Sequence, residues 1–182
     1  MKYLITNQET ERLNFRKLEI SDFNTWMTLF KDYTTRENLG MSEFKTAEEC
    51  CEKWFEWTFN RYDNNLGGQN ILILKDTDEI VGQCGLLVRE IDNEFEIEIA
   101  YSILPMHRMK GYAIESAKKC KDFAFHNDFH SRLVSIITPH NVQSINVASK
   151  NGLMLDREII FNGKKMVLFQ INKTDWKNSN LI

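Results

Sequence analysis

A basic loop at residues 105–113 carries the residue types in this sequence that are best suited to binding an anion. His107, Arg108 and Lys110 stand just before Gly111, and a helical pattern follows. Positive side chains at a helix start are unfavourable, because the free N–H groups and the macrodipole already make that end positive. A bound phosphate would relieve the repulsion, and glycine lets the backbone approach it closely. A solvated basic loop on an ordinary strand–helix connection fits the same residues, so both interpretations stay open here.

Two carboxylates precede this loop and could take part in proton transfer. Glu96 and Glu98 lie in an alternating stretch, so their side chains share one face of a strand. A carboxylate beside an amine can remove a proton from the ammonium form or attract its positive charge. The same alternation is also typical of a polar strand face that is exposed to solvent.

The residues around the loop predict a strand–helix–strand unit. Residues 95–104 alternate apolar and polar side chains, which indicates a half-buried strand. Small or apolar residues recur along residues 111–127 at the spacing of one helix face. Residues 132–138 are strongly apolar and predict a second strand. A unit of this length requires a right-handed crossover and therefore a parallel strand pair.

Further elements are predicted on both sides of this unit. Thr46 and Glu49 match a capping box, Asn141 can cap a helix, and Asn162-Gly163 is a strong hairpin signal. The remaining predictions are strands at residues 10–18, 70–75, 80–90, 153–161 and 165–172, helices from Ser21 or Asp22 to about Lys31, at 46–61 and at 142–150, and a polar connector at 34–44.

Composition limits the classes of protein that fit. The chain has 182 residues, 42% hydrophobic and 27% charged residues and a formal net charge of −3, so no global basic field favours nucleic acid. No apolar run reaches membrane-spanning length, and the N-terminal residues do not resemble a signal peptide. The cysteines lack metal-ligand spacing, and His126 and His130 lack the glutamate of a zinc hydrolase. We therefore expect no metal, no membrane or nucleic-acid partner, and a cytoplasmic location.

These elements predict a single domain over residues 1–182, with a core from about residue 10 to residue 172. No linker, repeat or low-complexity segment divides the chain. Helices alternate with strands that join into a mixed sheet. The predicted fold class is therefore α/β (α+β), with a largely antiparallel sheet and a central β-α-β unit.

The loop resembles a known cofactor-binding sequence. Arg108, Gly111 and Ala113 reproduce the pattern Arg-x-x-Gly-x-Ala of the acetyl-CoA pyrophosphate loop in the general N-acetyltransferase (GNAT) superfamily. The runs at residues 98–101 and 110–115 are similar to the branch that acetylates the N-termini of ribosomal proteins. The resemblance therefore implies a GNAT fold over nearly the whole chain.

A second motif follows in the order that the superfamily shows. Asn141-x-x-Ser144 resembles the second half of the CoA site. The resemblance implies acetyl-CoA as the acyl donor and no metal, with the pantetheine arm along the backbone of Tyr101 and Ile103 and the pyrophosphate on the loop amides. The implied cofactor-binding residues are Tyr101, Ile103, Arg108, Met109, Lys110, Gly111, Tyr112, Ala113, Asn141 and Ser144.

The resemblance also implies the residues that carry the reaction. Glu98 stands where the N-terminal acetyltransferase branch often has Glu, so it is the first candidate for the base, with Glu96 and water left open. Many members use a Tyr on the helix after the last parallel strand as the acid, and residues 142–150 contain none. Ser144, Tyr101 or water could protonate the leaving thiolate instead.

The implied function is N-acetyl transfer from acetyl-CoA to a primary amine by direct attack, in a monomer or homodimer. The acceptor is open between a peptide N-terminus and a small-molecule amine. Aromatic residues at 54–62 occupy the acceptor wall of the family, although their spacing also fits a helix core face. The alternative is a catalytically silent acyl-CoA-binding or regulatory module on the same fold, because the helix Tyr is missing and Met109 stands where the branch often has glycine.

Overall fold

A computed structural model describes residues 2–179, which form a seven-stranded sheet with helices on both faces. The strands are β1 (Leu13–Arg16), β2 (Gly67–Leu74), β3 (Ile80–Ile91), β4 (Glu94–Ile103), β5 (Arg132–Ile137), β6 (Met154–Phe161) and β7 (Lys164–Asn172). The helices are α1 (Phe23–Met27), α2 (Tyr33–Asn38), α3 (Ala47–Asp63), α4 (Tyr112–His126), α5 (Val142–Lys150) and α6 (Lys173–Ser179). No helix in this range is both long and apolar enough to cross a bilayer.

The sheet has the order β1-β2-β3-β4-β5-β7-β6, and its only parallel pair in residues 2–179 is β4–β5. This confirms the predicted mixed, largely antiparallel sheet with a central β-α-β unit. The two parallel strands are in register only at Glu98 and Val134. Beyond that pair the Ser135 hydroxyl donates to the Ile99 carbonyl at 2.8 Å. The strands therefore separate towards their C-terminal ends, and the gap opens there.

Several local predictions are confirmed by the hydrogen bonds at element ends. Thr46 and Glu49 form the reciprocal capping box of α3. Asn141 caps α5, since its Oδ1 accepts from the Ser144 N–H at 3.1 Å. Asn162 and Gly163 both have positive φ, 50° and 73°, as a tight hairpin between twisted strands requires.

The segment before α3 departs from the prediction. Asp22 does not cap α1; its carboxylate pairs with Arg16 at 2.7 Å and joins Glu19 in capping a 3₁₀ turn, Ile20–Asp22. A second 3₁₀ turn, Thr28–Lys31, replaces the end of the predicted helix. The connector expected at residues 34–44 contains α2, which Asp32 caps through the Thr34 N–H at 3.1 Å. Helix α6 was not predicted.

The two larger of three apolar clusters lie on opposite faces of the sheet. One packs α4 against β3 and β4, and the other packs α1 and α3 against β2. The aromatic segment of α3 divides between two environments: Phe55 and Tyr62 are buried in the second cluster, whereas Trp57 is exposed and Trp54 half-buried. Helix α3 therefore contributes to both the core and a surface next to the gap.

Candidate active site

The basic loop has the backbone shape of an anion-binding helix start. Gly111 is the N-cap of α4 at a φ of 88°, and Met109 has a φ of 62°. No side chain among residues 2–179 caps this helix, so its first N–H groups have no side-chain acceptor. Met109 is 90% exposed, which shows that its side chain does not fill the space beside the loop.

The three basic residues of the loop have different environments, so the prediction that all three place positive charge at the helix start is wrong. Arg108 turns towards α2, donating to Thr35 Oγ1 at 2.7 Å and to the Ile103 carbonyl at 3.2 Å. His107 is buried, and this burial, together with Lys110, lowers its pKa. Lys110 is exposed. An anion at this loop would therefore be held by backbone N–H groups more than by these side chains.

An anchor that the sequence did not reveal ties the loop to the start of the chain. Glu115 in the first turn of α4 accepts from Thr10 Oγ1 at 2.6 Å and from Arg12 Nε at 2.7 Å. Arg12 also donates to the Lys110 carbonyl at 3.0 Å and lies 4.6 Å from the centre of the Tyr112 ring. Burial opposes ionisation of Glu115, but its hydrogen bonds from Thr10 and Arg12 outweigh burial and lower its pKa.

One cavity of about 580 Å³, the loop cavity, lies between the loop, the end of β4 and the start of α5. It brings together all of the predicted cofactor-binding residues except Lys110. The carbonyls of Ile99 and Ile103 accept bonds from Ser135 and Arg108 outside the β3–β4 ladder. Because backbone groups of alternate residues point the same way, those of Tyr101 also face the open edge of β4.

A second cavity of about 640 Å³, the aromatic cavity, lies on the other side of the gap. Its lining includes Trp54, Trp57 and the charged residues Arg61, Arg89 and Glu98. The two cavities share the lining residues Asn38, Leu39, Tyr101, Asn141 and Ser144. They therefore meet where β4 and β5 separate.

The two candidate carboxylates are buried, contrary to a solvent-exposed polar face. Glu96 is 1% exposed and forms an ion pair with Arg132. Glu98 is 6% exposed and accepts from Arg89 Nε at 2.6 Å. Glu98 lines the aromatic cavity and Glu96 does not. Although Glu96 and Glu98 share one strand face, they have different environments: Glu96 is paired with Arg132, and Glu98 is paired with Arg89 and lines the aromatic cavity.

Tyr101 and α5 are joined at the junction of the cavities. The Tyr101 hydroxyl donates to the Ser144 carbonyl at 2.8 Å, and burial raises the pKa of the phenol. Ser144 is half-buried and lines both cavities. Among residues 2–179, no group of three His, Cys, Asp or Glu side chains could hold a metal ion.

The chain is similar to known proteins both in sequence and in structure, over nearly its whole length. The chain is 29% identical to YkkB of Bacillus subtilis over 169 residues, which cover 91% of this chain and 95% of the relative. The crystal structure of an Agrobacterium tumefaciens acetyltransferase covers 92% of this chain and 95% of its own with a TM-score of 0.77 at 24% identity. The ribosomal L7/L12 alpha-N-protein acetyltransferase RimL, solved with CoA, covers 91% of this chain and 97% of its own with a TM-score of 0.73 at 14% identity.

The structural likenesses, at less than 25% identity, establish the fold. The family is decided by the sequence itself, because residues 12–154 match the acetyltransferase (GNAT) domain. This span runs from the start of β1 to the first residue of β6 and includes the gap, the loop and α5. The chain belongs to the GNAT family and is an acetyl-CoA-dependent acetyltransferase.

Proposed function

We propose that this acetyltransferase transfers acetyl to a primary amine, with acetyl-CoA in the loop cavity and the amine in the aromatic cavity. The observation that carries the proposal is that the two cavities meet at Tyr101, Asn141 and Ser144. A donor and an acceptor held on opposite sides of this junction would be close and oriented, which favours direct transfer between them.

The residues of the loop cavity fit acetyl-CoA. The uncapped start of α4 offers N–H groups to a pyrophosphate, and the open edge of β4 offers backbone groups to an extended amide chain. A side chain at Gly111 would be strained at its φ of 88°, and its Cβ would lie 3.2 Å from Arg12 Nη2. When bound, acetyl-CoA supplies the thioester whose acetyl group is transferred.

The chain's own residues would then handle charge and protons. The ammonium first loses one proton; the amine then forms the C–N bond while the C–S bond breaks, and the nitrogen loses its second proton as the leaving sulfur gains one. Glu98 is the buried carboxylate of the aromatic cavity and precedes Tyr101 on the same strand, and it would attract the ammonium and take up its proton. Ser144 lines both cavities and could protonate the leaving thiolate, because the Tyr101 hydroxyl is already engaged.

One observation favours the alternative, a catalytically silent acyl-CoA-binding module. Glu98 is held by Arg89, and an ion-paired carboxylate is less available to accept a proton. An amine that displaces part of this ion pair would restore its role, whereas a silent module would bind acetyl-CoA without turnover.

Release of free thiol from acetyl-CoA separates these functions. We expect release to depend on an added amine, across a panel containing peptides with free N-termini, polyamines, amino acids and simple alkylamines. Calorimetry with acetyl-CoA alone measures donor binding. Binding without amine-dependent release would support the silent module, and absence of binding would refute the placement of acetyl-CoA in the loop cavity.

A further inference from the structure

The buried and half-buried residues that line the aromatic cavity, which we call its floor, carry more positive than negative side chains. Glu98 is paired with Arg89, and Arg61 approaches the same region from α3, donating to the Val88 carbonyl at 2.8 Å. Two guanidinium groups therefore face one carboxylate. At the rim, Glu37 and Glu43 oppose Lys164, while Lys165 pairs with Glu158 at 2.8 Å.

Several polar atoms of this floor lack partners. Arg61 Nε is buried and has no hydrogen-bond partner among residues 2–179. Arg89 donates to Glu98 through Nε, and within the same residues no other acceptor is bound to its guanidinium. The side-chain oxygen Oε1 of Gln69, a residue that is 7% exposed and lines the cavity, is also without a partner there. Buried polar atoms are normally hydrogen-bonded, so an ordered water or a bound ligand would complete the polar groups of this floor.

The charges around Arg61 indicate the sign of the charge that a ligand would carry there. Burial, and after it the charge of Arg89, lowers the pKa of Arg61 to about 10, whereas Glu98 acts in the opposite direction. Two neighbouring cations with restricted solvation are stabilised by an added anion. Guanidinium groups bind carboxylates through two parallel hydrogen bonds, which gives such a site geometric selectivity.

The order of charges along the sheet places the anion relative to the amine. In the β3–β4 register, Leu87 is opposite Glu98 and Arg89 is opposite Glu96. The backbone of Arg89 therefore lies two residues, about 7 Å, farther from the cavity junction than the backbone of Leu87. The Arg89 side chain reaches back from there to the Glu98 carboxylate. Starting at the junction, an acceptor meets Glu98 first and the guanidinium groups next.

We propose that the acceptor is an amine that also carries a carboxylate, of the class of the apolar α-amino acids. The proposal rests on the function proposed above. The ammonium binds Glu98 and Gln69, and the carboxylate binds Arg61 and Arg89, so the zwitterion lies head to tail on the existing ion pair. The apolar side chain packs against the aromatic wall that includes Trp57.

Three matched acceptors test the carboxylate directly: L-phenylalanine, L-phenylalaninamide and phenethylamine. All carry the same ring and a primary amine, but only the first has a carboxylate. We expect kcat/KM for phenylalanine to exceed that of the other two by about tenfold or more, since charge-assisted hydrogen bonds are lost without it. Saturation-transfer NMR with CoA present should rank binding of the three in the same order.

A charge-neutralising variant assigns the effect to Arg61. Arg61→Gln should lower kcat/KM for phenylalanine about tenfold more than it lowers kcat/KM for phenethylamine, so the ratio of the two falls. Lys53→Gln removes the same charge from the same helix, where Lys53 pairs with Glu56 at 2.9 Å, and should not change the ratio. If Arg61→Gln does not fold, Arg61→Lys, which keeps the charge but loses the fork geometry, should reduce the preference partially.

Each outcome decides the proposal. Equal kcat/KM for the three amines, or a preference for those without the carboxylate, overturns the acceptor class and leaves the acetyltransferase function intact. Acetylation of peptides or polyamines alone has the same consequence. Failure of the protein to bind acetyl-CoA, with no amine acetylated, refutes the proposed function and this inference together.

Discussion

Glu98 and Glu96 can be distinguished by the same substitution at each position. They lie two residues apart on β4, but Glu98 lines the aromatic cavity and Glu96 is enclosed by its ion pair with Arg132. Glu98→Gln should lower turnover by about 100-fold or more, because a positioned base contributes at least that much. Acetyl-CoA affinity should hardly change, since Glu98 does not line the loop cavity.

Glu96→Gln should act on stability instead. Removing one partner of a buried ion pair costs about 3–5 kcal/mol. The Arg132 side chain is 21% exposed and also bonds Gln170 at 3.2 Å, so we expect the lower limit, about 3 kcal/mol. In a protein of this size, such a loss lowers Tm by about 6–12 °C.

The assay is the pH–rate profile of both variants with any working amine, combined with thermal unfolding. The reasoning predicts that Glu98→Gln loses the acidic limb of the profile, while Glu96→Gln keeps the limb but melts earlier. If Glu98→Gln retains wild-type turnover and the same acidic limb, deprotonation does not pass through Glu98. If both variants lose turnover equally at a temperature where both are folded, the separation of their environments has no catalytic meaning.

Three further predictions concern the loop and its neighbours. Gly111→Asn should keep the fold, because asparagine tolerates a φ of 88°, but should weaken acetyl-CoA binding about tenfold in calorimetry. The control is Gly163→Asn, where φ is 73° and an added Cβ would have nothing within 4 Å. Equal acetyl-CoA affinities of the two variants would contradict the pyrophosphate assignment. Asn141→Ala should cost about 1 kcal/mol of unfolding free energy through the lost cap and also weaken acetyl-CoA binding; unchanged binding would leave only the capping role. The folded-state pKa of Glu115 is lowered, so its stabilisation is present above the ordinary value of 4.5 and is lost as pH falls through the folded pKa. Glu115→Gln should therefore approach wild-type stability in acid, and a difference independent of pH in denaturant titrations contradicts this.

The ends of several elements could be predicted from sequence because the interactions that form them are local. The Thr46–Glu49 capping box and the Asn141 cap each join residues three positions apart. The Asn162-Gly163 turn depends on two adjacent backbone conformations. The parallel pair follows from the length of the crossover and the handedness of the chain. Each of these features is decided within one stretch of sequence, whatever packs around it.

The contacts that organise the site could not be predicted in this way. Glu115 receives its hydrogen bond from Arg12 across 103 positions, and Arg108 reaches Thr35 across 73. Sequence periodicity contains no information about which distant side chains meet, since it reports only the face on which each residue lies. Glu96 and Glu98 are equivalent in that description. By itself the sequence determined the fold class, the loop and the two carboxylates on one strand face. Only the tertiary structure placed Arg132 beside one carboxylate and a cavity beside the other, because those positions depend on how β5, α3 and β3 pack around β4.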